Sequence, residues 1–400
     1  NIDQLISFLE FAKAEEAPVL LHVITQKGKG CEVALDEPEK FHGVSPFNIE
    51  TGASKHPDQP LPPCYQDIFG HALVRHARKD PRIVGITGAM PGGTGLSHLR
   101  DSLREQYIDV GIAEEHAVLF AAGAATRGLK PVCAIYSTFL QRAYDPIIHD
   151  VCLQNLDVVF CMDRAGLSPN DGPTHHGLFD VGYMRLFPNM VVMAPGDEHD
   201  IEPMLDFALT HDAPCAIRYP KATATTVVPS AGRERAPVEL GRSEVISTGT
   251  DGTIVACGAL LPECIEAANK LRAEGVDFGI VNARFVKPLD EGTLFDVLRQ
   301  SPLVVTVEEA ALAGGFGSAL LEAANAVRHV ADLRDVGRPK VDVVADLIRQ
   351  RNPAADVCAV TGRIEGHLDL LADMDIVVAG VDREQPKFAI NQACIEHGRT

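Results

Sequence analysis

The chain has 400 residues, 46% of them apolar and 23% charged, and a formal net charge of −19. That is enough apolar material for two or three cored domains. So acidic a surface repels polyanions, which leaves out nucleic acid and an anionic membrane face as partners. Ten cysteines stand singly with no C-x-x-C spacing. This argues against a disulfide framework or a zinc site and for the reduced thiols of a cytoplasmic protein. No apolar run reaches the ~20 residues that span a bilayer, and no signal peptide is recognisable.

Ile2, Leu5, Ile6, Leu9 and Ala12 recur at helical spacing over 2–14. The apolar run PVLLHVI at 18–24 predicts a buried strand, and KGKG at 27–30 a turn. A chain that opens on Asn1 inside a helix reads as a piece of a longer protein, starting in the last unit of a preceding domain. Residues 31–63 are rich in Pro, Gly and Asp and read as a connection. From Tyr65 helix and strand alternate: helix 65–79, strand 82–87, helix 115–127, strand 131–136, helix 140–154, strand 157–162, helix 198–211 and strand 214–219. The strands are apolar throughout, as in parallel sheets covered on both faces. After a linker at 221–240 come strand 253–257, helix 261–274, strand 277–281, helix 290–299, strand 302–307 and helix 316–326.

Polar motifs begin where these strands end: GIAEEHA from Gly111, YSTFLQRAYDP from Tyr136, DRAG from Asp163, DGPTHHG from Asp171 and IRYPK from Ile217. Open α/β sheets bind ligands at the carboxyl ends of their strands. By composition alone Glu114 reads as a charge at a helix N-terminus, favoured by the dipole. Phe139 alone reads as a core residue.

In that order and spacing these motifs resemble the pyrimidine-binding domain of the 1-deoxy-D-xylulose-5-phosphate synthases. KGKG with KFHGVSPFN resembles the end of that family's first domain and its linker, and NARFVKPLD (282–290) with VEEAALAGGFGSALLE (307–322) its transketolase-type C-terminal domain. The implied fold is α/β: a parallel-sheet pyrimidine-binding domain of thiamine-diphosphate enzymes plus a smaller transketolase C-terminal-like domain. The implied layout is a domain tail and linker at 1–63, the pyrimidine-binding domain at 64–225, the C-terminal-like domain at 240–326 and a distinct tail at 327–400.

The resemblance also implies chemistry. The parent reaction joins pyruvate to D-glyceraldehyde 3-phosphate with loss of CO₂, for isoprenoid, thiamine and pyridoxal synthesis, in a homodimer using thiamine diphosphate and Mg²⁺. Glu114 matches the carboxyl that hydrogen-bonds the cofactor's N1′, and Phe139 the ring that stacks on its pyrimidine. Tyr136 and Arg142 match cavity residues, with Arg142 as an anion clamp. Asp171 and His175 match groups facing the acceptor aldehyde, Arg218 and Lys221 substrate-binding cations, and His42 a linker histidine that reaches the site. Three departures stand out. Glu115 replaces the family's usual Gln. Lys221 replaces its usual Arg, a point charge instead of a bidentate fork. The family's diphosphate-binding half, with the Gly-Asp-Gly and Asn set that holds Mg²⁺, is not found in these 400 residues, so no metal ligand is assigned and the piece alone is expected to be inactive.

The tail resembles a different family, the adenylyltransferases that activate ubiquitin-like and sulfur-carrier proteins. The matching stretches are 328–353, DIVVAGVD (375–382) and INQACIEHGR (390–399), with Asp382 at the Mg-ATP aspartate position. A diverged synthase tail is the other reading, and a join near Gly337 accounts for both likenesses. The alternatives for the whole are a split transketolase, a 2-oxo-acid dehydrogenase β-type chain, or a non-catalytic fusion protein.

Overall fold

The computed structural model describes residues 1–38, 40–42, 44, 46–55, 62–224, 236–327, 342, 345, 346 and 349. The chain divides into two units, Asn1–Pro62 and Pro63–Thr400. In the first, helix α1 (Ile2–Ala14) is started by Asn1, whose side-chain oxygen accepts from the backbone N–H groups of Asp3 and Gln4. Helix α2 (Glu32–Asp36) follows. The strand expected at 18–24 does not form, and Leu20 and Ile24 are exposed. A strand needs a neighbour to take its ladder, and none pairs with this segment among the described residues of the unit.

The second unit holds two sheets. The larger contains β1 (Ile83–Thr87), β2 (Tyr107–Asp109), β3 (Lys130–Tyr136), β4 (Val159–Asp163), β5 (Val191–Met193) and β6 (Cys215–Arg218). The smaller contains β7 (Glu244–Ser247), β8 (Gly252–Cys257), β9 (Phe278–Asn282) and β11 (Val304–Glu308). Between β9 and β11, β10 (Phe285–Lys287) crosses to the larger sheet, giving the order β10-β5-β6-β4-β3-β1-β2, against β11-β8-β9-β7. All pairs are parallel except β10 with β5 and β7 with β9. The larger sheet is thus completed by a strand from beyond the 221–240 linker.

Helices α3 (Tyr65–Ala77), α4 (Ser97–Ser102), α5 (Glu114–Ala125), α6 (Ser137–Leu140), α7 (Tyr144–Pro146), α8 (Asp180–Met184) and α9 (Ile201–Thr210) belong to the larger sheet, and α10 (Leu261–Ala273), α11 (Glu291–Gln300) and α12 (Phe316–Val327) to the smaller. β1, β4 and β6 are buried along their whole length, because cores lie on both faces. One contains Ile86, Ile135, Phe160 and Val118, the other Phe69, Leu73, Val132 and Ile217. The helix expected at 140–154 is broken into a 3₁₀ turn at 141–143, α7 and a π turn at 147–152. Pro146 removes a donor at the break. No helix among the described residues is long and apolar enough to cross a membrane.

Candidate active site

Glu114 opens α5, just beyond the end of β2, and is 2% exposed. Its one protein partner among the described residues is Arg142, whose Nη1 donates at 2.5 Å. Arg142 follows α6, is half-exposed, and lies over the Phe139 ring at 4.9 Å. Phe139 stacks on Tyr136 with centroids 5.6 Å apart, and His175 meets Phe139 edge-on at 5.2 Å. Both rings follow from one local event: β3 ends at Tyr136 and α6 begins at once, which turns Tyr136 and Phe139 to the same side.

Beyond Tyr136 stands Arg164, with its guanidinium 3.8 Å from the ring centroid. Arg164 immediately follows β4 in a left-handed conformation, φ +58. The Asp163 carboxylate holds it there, accepting from the Arg164 backbone N–H at 2.5 Å and pairing with its Nη1 at 3.0 Å. Arg164 Nη1 also donates to the Gly93 carbonyl at 2.6 Å. Gly93 must lack a side chain, because a Cβ there would overlap the Tyr136 hydroxyl. Asp171 lies 3.6 Å from Arg164, and Lys221 donates to both its carboxylate oxygens at 2.7 Å.

Burial pushes the Asp163 carboxyl up to about 7 against the opposing pull of Arg164. It pushes the Tyr136 phenol up to about 12, again opposed by Arg164. Burial also raises Asp171, but the hydrogen bonds from Lys221 and Ser168 win and hold it below the usual carboxylate range. A continuous chain of contacts therefore links Glu114, Arg142, Phe139, Tyr136, His175, Arg164, Asp171 and Lys221 at the carboxyl edge of the sheet.

One of the expected residues faces away from this chain of contacts. Arg218 is buried and committed inward: Nε pairs with Asp180 at 3.0 Å and Nη2 donates to the Glu309 carbonyl at 2.8 Å. Burial works against its charge, yet Asp180 holds the guanidinium above its ordinary value. His42 is an exposed residue of the first unit. Arg164, in turn, was not singled out from sequence. Its signal was an Asp-Arg pair closing an otherwise apolar strand, in a motif already in view.

These features fit a thiamine cofactor's pyrimidine: a buried carboxyl with one oxygen lacking a partner among the described residues, near a half-buried aromatic face. They do not include a metal cage, since no cluster of His, Cys, Asp or Glu among the described residues could hold an ion.

Three family models match the chain. The transketolase pyrimidine-binding domain matches 62–226, the transketolase C-terminal domain 241–347, and the ThiF family 319–400. A solved split-gene transketolase, described as an inactive β4 tetramer, is 30% identical at a TM-score of 0.60, covering 66% of this chain and 85% of that one. The chain belongs to the transketolase family. Within it, the likeness is to proteins named 1-deoxy-D-xylulose-5-phosphate synthase: that of Acidobacterium capsulatum is 49% identical over 85% of this chain, and that of Syntrophus aciditrophicus 51% over 80%. Those matches cover 53% and 49% of the two relatives, so the chain spans about half the length of the curated relatives it matches. The ThiF match lies almost wholly outside the described residues, as does Asp382.

Proposed function

We propose that the chain forms the pyrimidine-binding half of a 1-deoxy-D-xylulose-5-phosphate synthase. The observation that carries this is Glu114, a buried carboxyl with a vacant acceptor position beside Phe139. When bound, thiamine diphosphate supplies a nucleophilic carbon. Glu114 hydrogen-bonds N1′ of its pyrimidine and positions the proton that moves there. Phe139 supports the pyrimidine face, and Arg142 leaves Glu114 to meet an incoming carboxylate. Arg164 and Lys221 take the acceptor's phosphate, with Arg164 presenting the fork that Lys221 lacks. Asp171 and His175 hydrogen-bond the aldehyde and the hydroxyl next to it, and the linker histidine His42 reaches the same substrates. Arg218 keeps a supporting role behind the site.

The substrates in this reading are pyruvate and D-glyceraldehyde 3-phosphate, joined with loss of CO₂. Mg²⁺ and the diphosphate are held by the half of the relatives' length that this chain does not span, and turnover is expected only when that half is present. A second copy covers the outward face of α5, where Leu119 and Phe120 are exposed. The unpaired thiols of the described cysteines suit a cytoplasmic enzyme. The test is a fusion of this chain behind the diphosphate-binding half of one of the relatives. Such a protein is expected to form 1-deoxy-D-xylulose 5-phosphate. A fusion that binds the cofactor but transfers two-carbon units between ketose and aldose phosphates would instead make this a transketolase chain.

A further inference from the structure

The segment that follows β11 has no role in the site as described, although it reaches the loop that carries Asp171 and His175. That loop, 166–177, leaves and re-enters the fold through a narrow neck: Gly166 and Gly177 exchange backbone hydrogen bonds, 2.8 Å each way. Inside it, Ser168 N–H donates to His176 Nδ1 at 3.0 Å and the Ser168 hydroxyl to Asp171 at 2.9 Å. The loop is thus tied within itself, and a tilt at the neck moves its polar groups together.

The neck is gripped from the smaller sheet's side. The Glu309 carboxylate packs against the neck itself: a Cβ on Gly166 would stand 2.9 Å from its Oε2. The Glu309 carbonyl accepts from Arg218 at 2.8 Å, and Arg218 also reaches the Gly177 carbonyl at 3.5 Å. Two residues on, Ala311 N–H donates to the Leu178 carbonyl at 2.8 Å. Gly166 sits at φ +77, and a Cβ there would stand 2.7 Å from Glu309 Cβ, so the close approach depends on glycine.

We propose that Glu309 is a positioning residue, through which the C-terminal domain sets the tilt of the acceptor-binding loop. The acceptor role of the loop rests on the function proposed above; the grip itself does not. Glu309→Ala removes the side chain that packs on Gly166 and leaves the neck without its support. Glu309→Gln keeps the side chain's shape against the neck.

The first measurement is hydrogen–deuterium exchange of the 164–178 peptide in the 400-residue chain. Glu309→Ala should speed exchange there about tenfold, leave β4 and β6 protected, and be rescued by Glu309→Gln. The second uses the fused enzyme. Glu309→Ala should raise KM for the aldehyde about tenfold while consumption of pyruvate without acceptor stays near wild type. Unchanged exchange at the neck overturns the grip. Faster exchange with equal losses for pyruvate and aldehyde overturns the positioning role. A fused enzyme that uses other substrates overturns the functional reading alone, because the exchange result stands without it.

Discussion

The two sheets obey the same rule and use their carboxyl edges differently. At the edge of the larger sheet, Glu114 starts α5 and has one side-chain partner among the described residues, the half-exposed Arg142. At the edge of the smaller, Glu308 ends β11, and its two oxygens are filled by the backbone N–H groups of Phe316 and Gly317, at 2.6 and 2.9 Å, where α12 begins. Both carboxylates enjoy the positive end of a helix dipole. One is satisfied by its own fold and the other is left with capacity for a ligand. A strand-end position therefore nominates a site, and the vacancy at the acceptor atoms decides between a binding group and a brace.

Arg218 belongs with the braces, and its removal is the largest stability effect expected in this comparison. Arg218→Met leaves the Asp180 carboxylate buried without its cation, which should cost about 3–5 kcal/mol in urea unfolding. A loss below ~1 kcal/mol, with weakened phosphate binding instead, would move Arg218 into the site.

A smaller effect is expected at the opposite, amino edge of the larger sheet, where no polar motif gathers. Burial pushes the Asp157 carboxyl up to about 6, opposed by Lys130 and Arg82 and helped by Asp212. A carboxyl raised on folding favours the folded state below its ordinary range and loses that contribution as pH climbs towards 6. Asp157→Asn should therefore match wild type near pH 4 and be more stable near pH 7, by about 1 kcal/mol after allowance for its partial exposure. Parallel pH–stability curves for the two proteins would show that the amino edge is not strained in this way.

The long parallel strands were legible because burial on both faces writes a continuous apolar run, as in IVGI of β1 and VFCM of β4. Three-residue strands such as YID, VVM and FVK carry too little pattern to be read. The run at 18–24 had the right composition but no partner, which a sequence does not display. Most of the candidate site was legible because its residues sit in motifs at strand ends. Arg164 escaped, since its place depends on a left-handed backbone and on the Gly93 carbonyl that its guanidinium meets. Arg218 shares a motif with Lys221, yet alternation along β6 turns its side chain into the fold. That distinction needs the packing of Asp180 and Glu309, which come from distant parts of the chain.

The central claim is that Glu114 is the working carboxyl of this edge. Its neighbour Glu115 is exposed, so the two glutamates form an internal control. The measurement is steady-state rate and exchange of the thiamine C2 proton in the fused enzyme, for Glu114→Gln and Glu115→Gln side by side. Glu114→Gln should lower kcat on the order of 10²-fold or more, with little change in cofactor affinity, as for loss of a general acid–base group. Glu115→Gln should stay close to wild type. A crippled Glu115→Gln beside a mild Glu114→Gln would contradict the account at its central residue.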